Sequence, residues 1–192
     1  MSFPVVARTR MLGVALVGLT VLPLAVHGQD HRHKEAPVTE ARIGIPPSIK
    51  AEHDEIHAEL VSATKAPGRV GDAARELAAV LHPHFVREEQ IALPPLGLMQ
   101  ALARGEARRD MLAVLPLTDA LRAELPRMLE EHQVIQAATM KLGDVARSEG
   151  NLAVAHLAEK LLLHARGEEE VFYPAAMLVG DMVRARISAS RP

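Results

Sequence analysis

The chain has 192 residues, 48% of them hydrophobic, with no cysteine, no tryptophan, a single tyrosine and a formal net charge of −2. That length fits one domain with a sizeable core. Without cysteine there are no disulfides, thiolate metal sites or cysteine nucleophiles, and the slightly acidic balance gives no electrostatic basis for binding nucleic acid.

Residues 1–28 have the form of an export signal. Arg8 and Arg10 precede an apolar run from Met11 to Val26, followed by Gly28 as a small residue where a signal peptidase would cut. That run is shorter than the roughly 20 residues a spanning helix needs. The expectation is therefore a cleaved signal and a periplasmic location in a bacterial cell, with a retained anchor facing the periplasm as the alternative; only in the second case does the chain meet a membrane. Residues 29–46 are polar and without periodicity, and read as a flexible tether.

Beyond Pro46-Pro47-Ser48 a 3.6-residue apolar period begins. It predicts a first helix over about 48–65, ended by Ala66-Pro67-Gly68, and a second from about Gly71 to just before Pro94-Pro95. A linker of some 20 residues follows, with one short helix near 106–114, and a third helix spans about 118–150. The fourth opens at an Asn151 cap and ends at Pro174, and a last amphipathic stretch, 175–187, is expected to pack across one end. Pro83 and Pro126 fall inside helical stretches and should bend them. No stretch alternates as a strand would. The fold class is all-α: an up-down-up-down four-helix bundle over 47–187 with a short extra C-terminal helix, and 188–192 as a tail. No feature of the sequence specifies an oligomeric state.

One pattern occurs twice. His84-Phe-Val-Arg-Glu88-Glu89 and His164-Ala-Arg-Gly-Glu168-Glu169 both read H-x-x-x-E-E, and both reach a proline, Pro94 and Pro174, ten residues after the histidine. A further histidine lies upstream of each copy, in matching contexts: Glu52-His53-Asp-Glu-Ile56 and Glu131-His132-Gln-Val-Ile135. All three mature aromatic residues, Phe85, Phe172 and Tyr173, sit inside the motifs, either packing near helix ends or walling a site against water.

Residues three, four and seven apart share a helix face. His53 then lies with Ile49, Ile56 and Leu60, and His84 with Leu77, Leu81, Glu88 and Ile91. His132 lies with Leu125, Met128 and Ile135, and His164 with Leu157, Leu161, Glu168, Val171 and Phe172. Two carboxylates thus face inward with no lysine or arginine on the same faces, which costs several kcal/mol unless something compensates. A cation pair does so, with the histidines as nitrogen donors and the two glutamates shared between them. Imidazole and carboxylate without sulfur suit iron, manganese or zinc. Glu three residues before His, the order of ferritin-like di-iron proteins, is absent. His82 and His156 fall on other faces and read as surface residues.

Over about residues 48–180 these motifs resemble the hemerythrin-like family of HHE cation-binding domains. The resemblance implies a four-helix bundle with a non-haem di-iron centre, with His53, His84, His132 and His164 as terminal ligands and Glu88 and Glu168 as bridges. Glu169 rivals Glu168, since the oxygen carriers use an acid five residues after the helix-four histidine, but the internal repeat favours Glu168. Those carriers also place two histidines four apart on the third helix, where this chain has Gln136 after His132. The matching position in the first helix is His57, which is either a fifth nitrogen ligand or a solvent-facing residue. The implied cofactor is two iron ions, ahead of manganese or zinc. The implied function is binding or sensing of O2 or a related diatomic molecule. A di-iron redox enzyme acting on peroxide or nitric oxide, and an iron-holding stress protein, are the alternatives.

Overall fold

A computed structural model describes residues 42–189; the expected export signal, most of the expected tether and the last three residues lie outside that range. Helix α1 (Pro47–Ala63) starts on a proline, whose missing N–H costs nothing at a helix start. A tight turn leads to α2 (Gly68–Ile91). Gly71 lies against the Ala66 carbonyl, where a Cβ would collide, so the turn requires glycine there. The linker holds a 3₁₀ turn (Pro94–Leu98), the short α3 (Met99–Ala103) and a second 3₁₀ turn (Arg109–Val114). The short helix expected near 106–114 is the second 3₁₀ turn, while the first turn and α3 lie earlier, where none was expected.

Helix α4 (Leu115–Ser148) is followed at once by α5 (Leu152–Gly167), whose first turn is capped by the Asn151 side chain accepting from Val154 N–H. Helices α2 and α4 continue through Pro83 and Pro126 without a break. Among the described residues there is no strand, and no helix is long and apolar enough to cross a membrane.

The last expectation needs correcting. Pro174 does not end the fourth helix, and 175–187 is not a separate one. The chain passes from α5 through a π turn (Glu168–Phe172) into α6 (Tyr173–Ala189) without leaving helical conformation. Proline has no N–H to give, and its ring crowds the carbonyl four residues back. Widening the turn before it relieves that clash, and Tyr173 N–H bonds the Glu168 carbonyl instead. The first copy makes the matching bond, Leu93 N–H to Glu88 C=O at 3.0 Å, but there a second proline, Pro95, follows and the helix stops.

Helix α1 packs on α2 and α5, and α4 packs on the same two, so the four long helices close a ring. Inside it, one apolar layer gathers Leu60, Leu77, Leu142 and Leu157, and a second gathers Ile91, Leu121, Met128 and Ala176. Close to the far end Gly180 of α6 rests on the Thr118 side chain of α4, leaving no room for a Cβ.

Candidate metal centre

All six residues singled out by the repeat lie inside the ring. His53 comes from α1, His84 and Glu88 from α2, His132 from α4, His164 from α5 and Glu168 from the π turn, and none is more than 5% exposed. They form two groups able to hold a cation: His84, Glu88, His132 and Glu168, and His53, His164 and Glu168. Each group draws its histidines from different halves of the chain, with ring centroids 4.6 Å apart for His84 and His132 and 4.9 Å for His53 and His164.

Glu168 belongs to both. Its Oε1 lies 3.0 Å from His164 Nε2 and 3.2 Å from His53 Nε2, while its Oε2 lies 3.5 Å from His132 Nε2. Glu88 Oε1 lies 3.3 Å from His84 Nε2 and 3.9 Å from His132 Nε2. Donors about 2.1 Å from one cation in neighbouring positions stand roughly 3.0–3.5 Å from each other, so most of these separations suit a shared cation. The fit extends to unmet bonding capacity, since Glu88 Oε2 and His164 Nε2 are buried without a hydrogen-bond partner.

Electrostatics within the cluster is that of carboxylates and imidazoles forced together. Burial disfavours charge on His84, but Glu88, Glu131 and Glu168 outweigh it and raise its pKa to about 9. For His164, burial is likewise overcome, chiefly by Glu168, again to about 9. Against its own burial, Glu168 is held down to about 2 by His164 and His53. Burial pushes Glu88 up, and the charge on Glu168 pushes it further.

The other nitrogen of every histidine faces a carboxylate of a different helix. His84 Nδ1 donates to Glu131 at 2.9 Å, His132 Nδ1 to Glu169 at 2.8 Å and His164 Nδ1 to Glu52 at 3.2 Å; His53 Nδ1 lies 3.5 Å from Glu89. This outer set is itself a repeat, since Glu52 matches Glu131 and Glu89 matches Glu169. The three hydrogen-bonded partners fix the tautomers of His84, His132 and His164 and aim their Nε2 atoms inward, while His53 Nδ1 makes no hydrogen bond. The repeated Glu-His pair and the second glutamate of each H-x-x-x-E-E thus have a defined place, which helix-face reasoning alone did not assign. Arg127 Nε donates to Glu131 at 2.9 Å and steadies one member of the set.

Glu169, the rival acid, therefore contacts His132 and Gln136 and not the centre; the Gln136 amide donates to it at 3.3 Å. His57 is exposed on α1, its ring 5.8 Å from that of exposed His82, and takes no part in either group. His156 is also exposed.

Two aromatic residues line the centre. Phe85 stacks on His53 at 4.3 Å. Tyr173, 1% exposed, brings its hydroxyl among the inner donors: it donates to Glu88 and lies 3.2 Å from His132 Nε2 and 3.5 Å from His84 Nε2. In a regular helix Tyr173 would point about 180° away from His164, nine residues earlier. The π turn brings it round, and Val171, expected on the inner face, is turned out to 55% exposure. A surface cavity of about 300 Å³ opens beside the second group, lined by Glu52, Leu163, His164, Gly167, Glu170 and Phe172.

The donor set and its geometry are those of a metal-binding protein. The family model for the hemerythrin HHE cation-binding domain matches residues 45–176. Neither the curated proteins nor the solved structures compared with the chain give a match.

Proposed function

The chain belongs to the hemerythrin HHE cation-binding domain family, and from that premise we propose an exported non-haem di-iron protein that takes up O2 or a related small diatomic molecule. The observation that carries this reading is the unequal pair of donor groups joined through Glu168. Nitrogen and oxygen donors without sulfur suit iron. Iron held there supplies redox chemistry and a Lewis-acidic position. The group of His53, His164 and Glu168 has fewer protein donors than the other, and a surface cavity lies beside its His164.

The chain's own residues supply the rest. Glu52, Glu131 and Glu169 keep the imidazoles of His164, His84 and His132 aimed inward, Phe85 stacks on His53, and the two apolar layers exclude water. The short turns between α1 and α2 and between α4 and α5 support the up-down-up-down arrangement. Arg8, Arg10 and the apolar run after them support export to the periplasm, with a membrane anchor if the segment is retained.

The test is iron quantitation and an optical spectrum on aerobically purified full chain. About two irons per chain with oxo-bridged diferric absorption is expected, followed by a spectral change when the reduced protein meets O2. Iron well below one per chain would remove the reading. The sparse donor set at the second position also suits redox catalysis on peroxide or nitric oxide. Turnover above that of free iron, with no stable O2 adduct, would favour that alternative.

A further inference from the structure

Tyr173 is not one of the six residues that the repeat marks, yet its hydroxyl stands among their inner atoms. Its oxygen contacts Glu88 Oε1, His132 Nε2 at 3.2 Å and His84 Nε2 at 3.5 Å. Those are three of the four donors of one group, and the two nitrogen separations fall in the range expected between neighbouring donors of one cation. The hydroxyl faces the centre of the group.

We propose that Tyr173 is a fifth protein donor to the cation held by His84, Glu88, His132 and Glu168, so that one position of the centre has five protein donors and the other, with His53, His164 and Glu168, has three. The assignment rests on the di-iron reading above. It follows from the backbone as much as from the side chain. The π turn at Glu168–Phe172 carries residue 173 inward, and the residue in register in the first copy, nine after His84, is Leu93, which has no donor atom. The pseudo-twofold repeat is thus broken at one pair of positions: Tyr173 serves the first group, and the second, with His53 and His164, has no such oxygen.

Phenolate is a hard, anionic oxygen donor, and it suits trivalent iron. On loading, the phenol proton with which Tyr173 hydrogen-bonds Glu88 would be displaced by the cation and released to solvent. One more anionic donor favours the ferric state at that position and fills a place an incoming molecule would otherwise use. Small molecules are then left to the second position, on the side of the cavity beside His164.

The chain contains one tyrosine, so any tyrosinate signal has a single source. The experiment loads the full chain with iron under air, counts the iron and records resonance Raman spectra excited in the visible absorption. Wild type should hold about two irons per chain and show enhanced tyrosinate vibrations. Tyr173→Phe should keep the bundle by circular dichroism, retain iron and lose those vibrations completely. Iron-loaded wild type without them would overturn the proposal while leaving the di-iron reading intact, and this result needs no variant to fold. A chain that binds no iron would overturn both.

Discussion

His84 and Glu131 meet across α2 and α4 with Nδ1 and Oε2 2.9 Å apart, although the two residues come from different copies of the repeat. Burial would raise the pKa of Glu131, but His84 and Arg127 hold it below the ordinary carboxylate value, so it stays a charged acceptor for the imidazole. Replacing Glu131 by Gln should weaken cation binding roughly 10–100-fold, the usual cost of losing a partner that orients a histidine. Titration calorimetry with Fe(II) under anaerobic conditions measures it. His57→Ala, on the exposed face, is the comparison and should bind as wild type does. Equal effects in the two variants would remove the orienting role.

The two inner carboxylates should not be interchangeable. Glu168 reaches both groups and Glu88 Oε1 only one, so Glu168→Gln is expected to lower metal content from about two per chain toward none, and Glu88→Gln toward one. Metal quantitation after gel filtration decides it. Matching losses in the two variants would show that the groups are not joined through Glu168.

Stability of the metal-free protein should fall as pH rises above neutrality. His84 and His164 have folded pKa values raised to about 9 from 6.5, so each contributes stability that is fully present below about 6.5 and is lost as pH rises through 9. Glu168, lowered to about 2 from 4.5, contributes stability that is present above about 4.5 and lost as pH falls through 2. The metal-free maximum therefore lies between about 4.5 and 6.5. Above it each histidine removes on the order of 1 kcal/mol per pH unit, at roughly 2–4 °C in Tm per kcal/mol. Cation binding needs neutral imidazoles and ionised carboxylates, so its affinity runs the other way and increases with pH. Thermal melts with and without iron across pH 5–9 test both slopes, and parallel curves would contradict them.

Gly180→Ala should destabilise the bundle without touching the centre. Its new Cβ would collide with the Thr118 side chain, an overpacking error that costs about 1–3 kcal/mol. Denaturant unfolding of the metal-free variant measures the loss, and the iron content of the folded fraction should equal that of wild type. An unchanged midpoint would mean that α4 and α6 can separate there at no cost.

Helix-face spacing made the inner residues legible because α1, α2, α4 and α5 are regular across them: His53, His84, His132 and His164 all point into the ring, and the four-residue step carries Glu88 and Glu168 with their histidines. The same arithmetic failed after Glu168. Counting at 3.6 residues per turn puts Val171 inside and Tyr173 outside, whereas the π turn exchanges them. A signal was present in the proline ten residues after each repeated histidine, but a proline also ends helices: α2 stops before Pro94-Pro95, whereas helix continues through Pro174. The outer glutamates were legible as repeated letters only. Their contacts run between helices, and spacing within one helix says nothing about which residue of another it faces.

Each donor group takes one histidine from either half of the chain: His84 with His132, and His53 with His164. A cation bound there would act as a clasp in a protein that has no cysteine. The hairpin of α1 and α2 could then peel from that of α4 and α5 only by stripping nitrogen from both ions in the same event. The folded, loaded protein should accordingly unfold more slowly than the metal-free one, and a chelator that removes the ions should bring its unfolding rate to the metal-free value.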